Sequence, residues 1–180
     1  FKAVYFNNNP MVLSNESGLV TAPAVITGPA ANYTVSAWLF EPDPTLPDQQ
    51  TYISWAKRGG PNGSNAEMVY GTDTVWGAAG HWGDPDLPWG TPPTGGTWHN
   101  VIVTWDGSVE SDYIDGIFST SETKTLNIGG DLPIVLGSGY WYDGTTIYPD
   151  IVFSGYIAQV EVFGLAVAAE EAARVATLSP

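Results

Sequence analysis

The feature that most constrains this chain is a side-chain alternation of period two, cut at short intervals by Gly, Pro and Asp-Gly. In "YTVSAWLFE" (33–41) it puts Tyr33, Val35, Ala37 and Leu39 on one side and Trp38 and Phe40 on the other. That is the pattern of a strand, whose successive side chains point to opposite faces. "TWHNVIVTW" (97–105) alternates as well and ends at an Asp-Gly turn signal. "SDYIDGIFST" (111–120) reads as a hairpin turning at Asp115-Gly116, and "SGYIAQVEVFG" (154–164) as a strand bounded by glycines. Several strands are apolar on both sides, which suits two packed sheets better than one solvated sheet. Only "LAVAAEEAARVATL" (165–178) breaks the rhythm, with Leu165, Ala169, Ala172 and Val175 at helical spacing. The expectation is an all-β, two-sheet antiparallel β-sandwich with one short C-terminal helix.

No internal repeat or low-complexity tract divides the 180 residues, so a single domain over 1–180 is expected. The chain starts at Phe1 in what already reads as strand, as an excised module of a larger protein would. Five Lys+Arg against 19 Asp+Glu leave a formal net charge of -14, a field that repels nucleic acid and anionic membranes. Acidity here does not mean disorder, because 43% of the residues are hydrophobic, enough to fill a core. The sequence has no cysteine, which removes disulfides and thiolate metal sites. It also has no apolar run long enough to span a bilayer, so neither nucleic-acid binding nor membrane insertion is expected.

"YTVSAWL", "TWHNVIVTWDG", "YIDG", "LNIGG", "FSGYIAQVEVF" and "GLAVAAEEAARV" occur in one order. That ordered set resembles the laminin-G-like, concanavalin A-like jelly-roll modules attached to secreted bacterial enzymes, over nearly the whole chain. "SWAKRGGPNGSNAEMVYG" followed by "GAAGHWGDPDLPWG" is similar to a subgroup found beside polysaccharide-degrading enzymes. The resemblance implies two curved antiparallel sheets, ligands on the concave face or in rim loops, and an extracellular location. It implies no single activity, because the same sandwich hosts lectins, adhesion domains and glycoside hydrolases. Many members of this family carry, after a G-x-I in the C-terminal strand, an Asp that helps hold a structural calcium. Here that position is Ala158, so calcium would need other oxygens, with Asn7, Asn8 and Asn9 as weak candidates. No cofactor is otherwise expected.

The segment "GAAGHWGDPDLPWGTPP" (77–93) has the breakers of a surface loop, yet it carries His81, Trp82 and Trp89, with Trp76 just before it. Asp84 and Asp86 lie between the indoles. A sugar ring offers an apolar face of C–H groups and an equator of hydroxyls, which call for a flat aromatic platform flanked by carboxylates or imidazoles. The loop supplies both kinds of group. The competing reading is that Trp82 and Trp89 pin a long loop to the sheet. Lys57 and Arg58 stand side by side before a Gly-rich turn and should point to opposite faces. Arg58 could donate to sugar hydroxyls or a uronate, or pair with Glu67 across the hairpin. "GSGYWYDGTTIYP" (137–149) brings Trp141 and Tyr142 in a third aromatic loop. On the same rim as the first loop it would form the second wall of a cleft; the alternative is loop packing.

Glu110, Asp112 and Asp115 have the 0, 2, 5 spacing of the E-x-D-x-x-E strand in laminarinase-type glycoside hydrolases, whose acids serve as nucleophile and general acid. Here the last acid is Asp, and it sits at the expected hairpin turn. His81 and His99 are the only histidines and form no metal-ligand pair. The expectation is therefore a monomeric, non-catalytic carbohydrate-binding module that holds an attached enzyme to a neutral or lightly charged polysaccharide, such as an algal galactan or a plant hemicellulose. A structural or adhesion module packing on neighbouring domains is the alternative, and a hydrolase the third.

Overall fold

The computed structural model describes residues 2–7, 19–24, 26–29, 31–43, 45–83, 85–130 and 132–178. Thirteen strands are assigned in them: β1 (Val4–Asn7), β2 (Leu19–Ala22), β3 (Tyr33–Phe40), β4 (Gln50–Trp55), β5 (Ala66–Tyr70), β6 (Ala79–Gly80), β7 (Trp98–Trp105), β8 (Val109–Ile114), β9 (Ile117–Thr123), β10 (Ile134–Leu136), β11 (Gly139–Tyr142), β12 (Ile147–Asp150) and β13 (Ser154–Phe163). One helix follows, α1 (Ala169–Val175). A six-stranded sheet runs β1-β13-β3-β7-β8-β9 and a five-stranded sheet β2-β10-β4-β5-β6. Paired strands are antiparallel throughout both sheets. Strands β11 and β12 form a separate hairpin.

The alternation read from the sequence is the one that builds the core. Tyr33, Val35, Ala37 and Leu39 of β3 are fully buried, and their register partners Trp105, Val103 and Val101 on β7 join them on the inner face. From the other sheet Tyr52, Ile53, Trp55, Ala66, Met68 and Tyr70 meet that layer. The Asp115-Gly116 hairpin joins β8 to β9, with φ of 54° and 76° at its two turn residues. Positive φ at both positions gives the turn the same right-handed twist as its strands.

Helix α1 is shorter than the 165–178 stretch of helical spacing. The backbone just before it is taken by the sheet: Thr34 Oγ1 donates to the Leu165 carbonyl at 2.8 Å, and the Val167 N–H reaches the hydroxyls of Thr34 and Thr104. With its approach tied to the sheet in this way, the chain enters the helix at Ala169. It then seats Ala172 against Ile102 and Tyr113 on the outer face of the six-stranded sheet.

The outer face of the five-stranded sheet is where the site forms. Within β5, Ala66, Met68 and Tyr70 point into the core while Glu67 and Val69 turn outward. The β11–β12 hairpin is laid against that face. The Arg58 N–H donates to the Tyr140 carbonyl (2.8 Å), the Tyr142 N–H to the Arg58 carbonyl (3.1 Å), and the Thr51 N–H to the Ile151 carbonyl (2.7 Å).

Candidate functional site

Between the 71–86 loops and the β11–β12 hairpin lies a concavity of about 660 Å³, within the range of small-ligand sites. Val69, Glu67 and Gly80 make its floor, Trp76 and Trp82 its aromatic walls, and Gln49, Asn62, Asn65, Arg58 and Asp86 its polar fringe.

Its centre is Arg58. The guanidinium donates from Nη1 to Asp150 Oδ2 at 2.6 Å, and its Nε faces Glu67 Oε2 at 3.9 Å. Its carbon lies 5.8 Å from the centroid of Trp82 and 5.9 Å from that of Trp141, within reach of both π faces. The two indoles meet edge-on with centroids 5.3 Å apart. The two aromatic loops therefore stand on one rim and touch, and Arg58 is the cation they share. Lys57, on the other face of the chain as alternation requires, holds its ammonium 4.6 Å from the Tyr142 ring. Tyr142 donates its hydroxyl to the Gly144 carbonyl, which fixes the tip of the hairpin.

Glu67 is almost fully buried and accepts from the Thr51 hydroxyl and from Asn65 Nδ2. Burial pushes its carboxyl up to about 7, against the opposing pull of Arg58 and these hydrogen bonds. Gly139 packs directly on it: a Cβ there would stand 2.3 Å from Glu67 Oε1. Burial also raises Asp86, whose Oδ1 accepts the His81 N–H at 2.5 Å and so ties off the loop around Trp82. Trp82 has φ +67°, an uncommon backbone for a bulky side chain. It is held by the Gly63 N–H bond to its carbonyl and by the Asp86 tie. Such strain concentrates where a side chain must be aimed at something.

Of the residues expected at the site from the sequence, Trp141 and Tyr142 stand outside its lining, Trp141 behind Trp82 and Arg58, and two others are turned into the core. Trp89 is 2% exposed and belongs to the core, so it is the loop-pinning indole and offers no ring to a ligand. His81 is 0% exposed and its ring points inward, Nδ1 to the Asn65 carbonyl at 2.8 Å and Nε2 to Glu110 at 2.9 Å. Alternation along a loop does not reveal which residue the loop tucks under, and here His81 and Trp89 are tucked in while Trp82 between them is not. Asp84 lies outside the described residues. Trp76, noted in sequence beside the aromatic loop, is 58% exposed on the rim, while the fringe residues Gln49, Asn62 and Asn65, and Asp150 behind Arg58, were not singled out from sequence. Only Glu67 left a signal, as the charged residue on the outward side of an otherwise apolar strand.

The acids with hydrolase-like spacing lie apart from the concavity. Register places Glu110 opposite Trp105 and Asp112 opposite Val103, on the inner face of the six-stranded sheet, and both are fully buried. Glu110 accepts from Tyr33, His81 and Lys124. Burial alone would raise its carboxyl, but His81, Lys124 and Tyr33 outweigh it and bring it down to about 2. Asp112 is pushed up by burial, to about 7. Asp115, at the turn, accepts from the Asn100 N–H and hydrogen-bonds His99.

The described residues offer no side-chain set for the calcium that the family resemblance implies. Ala158 is a buried methyl with no oxygen to offer, and among the described residues no three His, Asp or Glu side chains gather to hold a metal ion. Asn8 and Asn9 lie outside the described residues, and of Asn7 only the backbone, paired with Ser154, is described.

Residues 14–173 match the family described as the concanavalin A-like lectin/glucanases superfamily. No curated protein matches the chain in sequence. Among solved structures, domain 4 of AbnA, a GH43 extracellular arabinanase from Geobacillus stearothermophilus in complex with arabinotriose, superposes with TM-score 0.63 and 19% identity, over 98% of this chain and 82% of that one. The CBM40 of the Ruminococcus gnavus IT-sialidase bound to α2,3 sialyllactose gives 0.62 and 12%, over 89% and 97%. A putative carbohydrate binding protein from Bacteroides ovatus gives 0.59 and 15%, over 87% of this chain and 43% of that one. At these identities the likeness is one of fold.

Proposed function

The chain belongs to the concanavalin A-like lectin/glucanases superfamily, and from that membership and its concavity we propose that it is a non-catalytic carbohydrate-binding module. The observation that carries the reading is Trp82, backed by Trp141 and Arg58, at the wall of a concavity fringed by amides and carboxylates. Indole faces take the C–H side of a sugar ring, and Asn62, Asn65, Gln49 and Asp86 take its hydroxyls. The strained backbone of Trp82 fits a side chain aimed at a ligand. The fold neighbours that carry arabinotriose and sialyllactose support the same class of ligand. The burial of Glu110 and Asp112 supports binding without hydrolysis. Open sites of this size bind with roughly 4–8 kcal/mol, millimolar to micromolar. Such affinity suits a secreted bacterial module that keeps an attached enzyme near polymeric substrate by effective concentration.

Native affinity electrophoresis through neutral and acidic polysaccharides, with Trp82→Ala and Trp141→Ala alongside, tests the reading. Retardation of the parent that is lost in either folded variant is expected. Retardation indifferent to both substitutions moves the site elsewhere, and none on a broad panel leaves an adhesion or structural module. Release of reducing ends from any retarding polysaccharide would overturn the non-catalytic part.

A further inference from the structure

Every chemistry-bearing side chain at the concavity bears on one question that the fold leaves open, the charge of the sugar it accepts. Resting on the carbohydrate-binding reading, we propose that this site takes neutral sugars and turns away acidic ones, because Arg58, the one cation among the described lining residues, is already paired with Asp150.

An acidic sugar is recognised by a guanidinium whose N–H fork is free to close on the carboxylate. Here Nη1 is committed to Asp150 at 2.6 Å and Nε faces Glu67 at 3.9 Å. The indoles of Trp82 and Trp141 lie against the same group. Among the described residues lining the concavity, Arg58 is the only cation, against the carboxyls of Glu67 and Asp86. Lys57 stands outside that lining, over Tyr142. Lys124 is turned beneath the loop, onto the Pro85 carbonyl and Glu110. A sugar carboxylate closing on both Nη groups would have to compete with Asp150 for Nη1, and would meet Asp150 and Asp86 as like charges. Sugar hydroxyls face no such contest, since they accept from the amides and donate to the same carboxylates.

The arrangement makes Asp150 a selectivity residue. It arrives from β12, 92 positions from Arg58 along the chain, and its carboxylate accepts from this guanidinium. Removing its charge while keeping its shape should leave Arg58 with an open N–H edge toward the concavity.

Titration calorimetry of the purified chain decides the matter. The probes are the neutral polysaccharides that retard it, each paired with its own C6-oxidised derivative, so that backbone and linkage stay fixed while carboxylates are added. The parent should bind each neutral polymer at least about tenfold more tightly than its oxidised partner, as one like-charge contact of modest size would give. That ratio should shrink at high sodium chloride. In Asp150→Asn the ratio should fall severalfold through a gain of affinity for the oxidised polymer. A parent that binds the oxidised polymers as well as the neutral ones overturns the proposal and leaves the carbohydrate-binding reading standing. A folded Asp150→Asn with no gain overturns the role of the Arg58–Asp150 pair. Binding of neither kind overturns the carbohydrate-binding reading and the selectivity with it.

Discussion

Replacing Glu110 with Gln keeps the side chain's shape and removes its charge, and the surroundings set the cost. Glu110 is fully buried, with His81 Nε2 at 2.9 Å, Lys124 Nζ at 3.0 Å and the Tyr33 hydroxyl also donating to it. The Lys124 side chain is 4% exposed and that of His81 0%, so neither can turn to water when the carboxylate goes. Breaking a buried pair by removing one partner costs about 3–5 kcal/mol. The pull of the same partners on its carboxyl points the same way. A carboxyl drawn from its ordinary 4.5 to about 2 corresponds to stabilisation on the order of 3 kcal/mol at neutral pH. A folded-state value below the unfolded one means the contribution is present above 4.5 and lost as the pH falls toward 2. Urea unfolding followed by tryptophan fluorescence should therefore show Glu110→Gln destabilised by about 3–5 kcal/mol near pH 7. At roughly 2–4 °C per kcal/mol for a chain of this size, the melting temperature should fall by roughly 6–20 °C. The gap should close in acid, where the wild type loses the same charge. A loss under about 1 kcal/mol near pH 7, in the range of exposed pairs, would refute the structural role of this carboxylate. So would a loss that persists unchanged at low pH.

Trp89→Ala should cost about 3–5 kcal/mol in the same assay, as a large core truncation does. Trp82→Ala should be far milder in stability and abolish glycan retardation; equal stability losses would contradict the placement of the two indoles. Gly59 has φ +86°, and a Cβ there would lie 2.4 Å from the Tyr142 carbonyl oxygen. Gly59→Ala should therefore loosen the β11–β12 hairpin, cost about 1–3 kcal/mol, and weaken sugar binding without touching a lining residue. Unchanged affinity would show that the hairpin does not shape the site. Glu67 is held up to about 7 in the folded state, so the stability linked to its proton is complete below 4.5 and lost as the pH rises through 7. Glu67→Gln should have its melting temperature rise relative to wild type between about pH 5 and pH 8; a constant difference would sink that assignment.

Much of the sandwich was legible because strand periodicity is local. The inward set of β3 could be named from nine residues, and the Asp-Gly turn at 115–116 needs only a backbone tolerant of positive φ. The helix was legible in kind and overlong in extent, since the hydroxyls of Thr34 and Thr104 that capture its approach come from strands more than sixty positions away. The aromatic loops were visible as compositional anomalies, yet composition could not divide their indoles. Trp82 and Trp89 sit in similar Gly- and Pro-rich settings. One faces the concavity and the other fills the core, a division set by the path of the folded loop.

By itself, the sequence determined the layers, the inward faces, the acidic field and the supply of aromatic and amide groups that suit a sugar, all properties set by neighbours a few residues apart. Tertiary structure alone decided that Arg58 meets Asp150, that Trp141 reaches Trp82, and that Glu110 and Asp112 point into the core while Glu67 floors the concavity. Each depends on strand order and on which sheet face a hairpin is laid against. Those are settled by burying the two apolar faces together, a requirement of the whole chain that no short stretch carries.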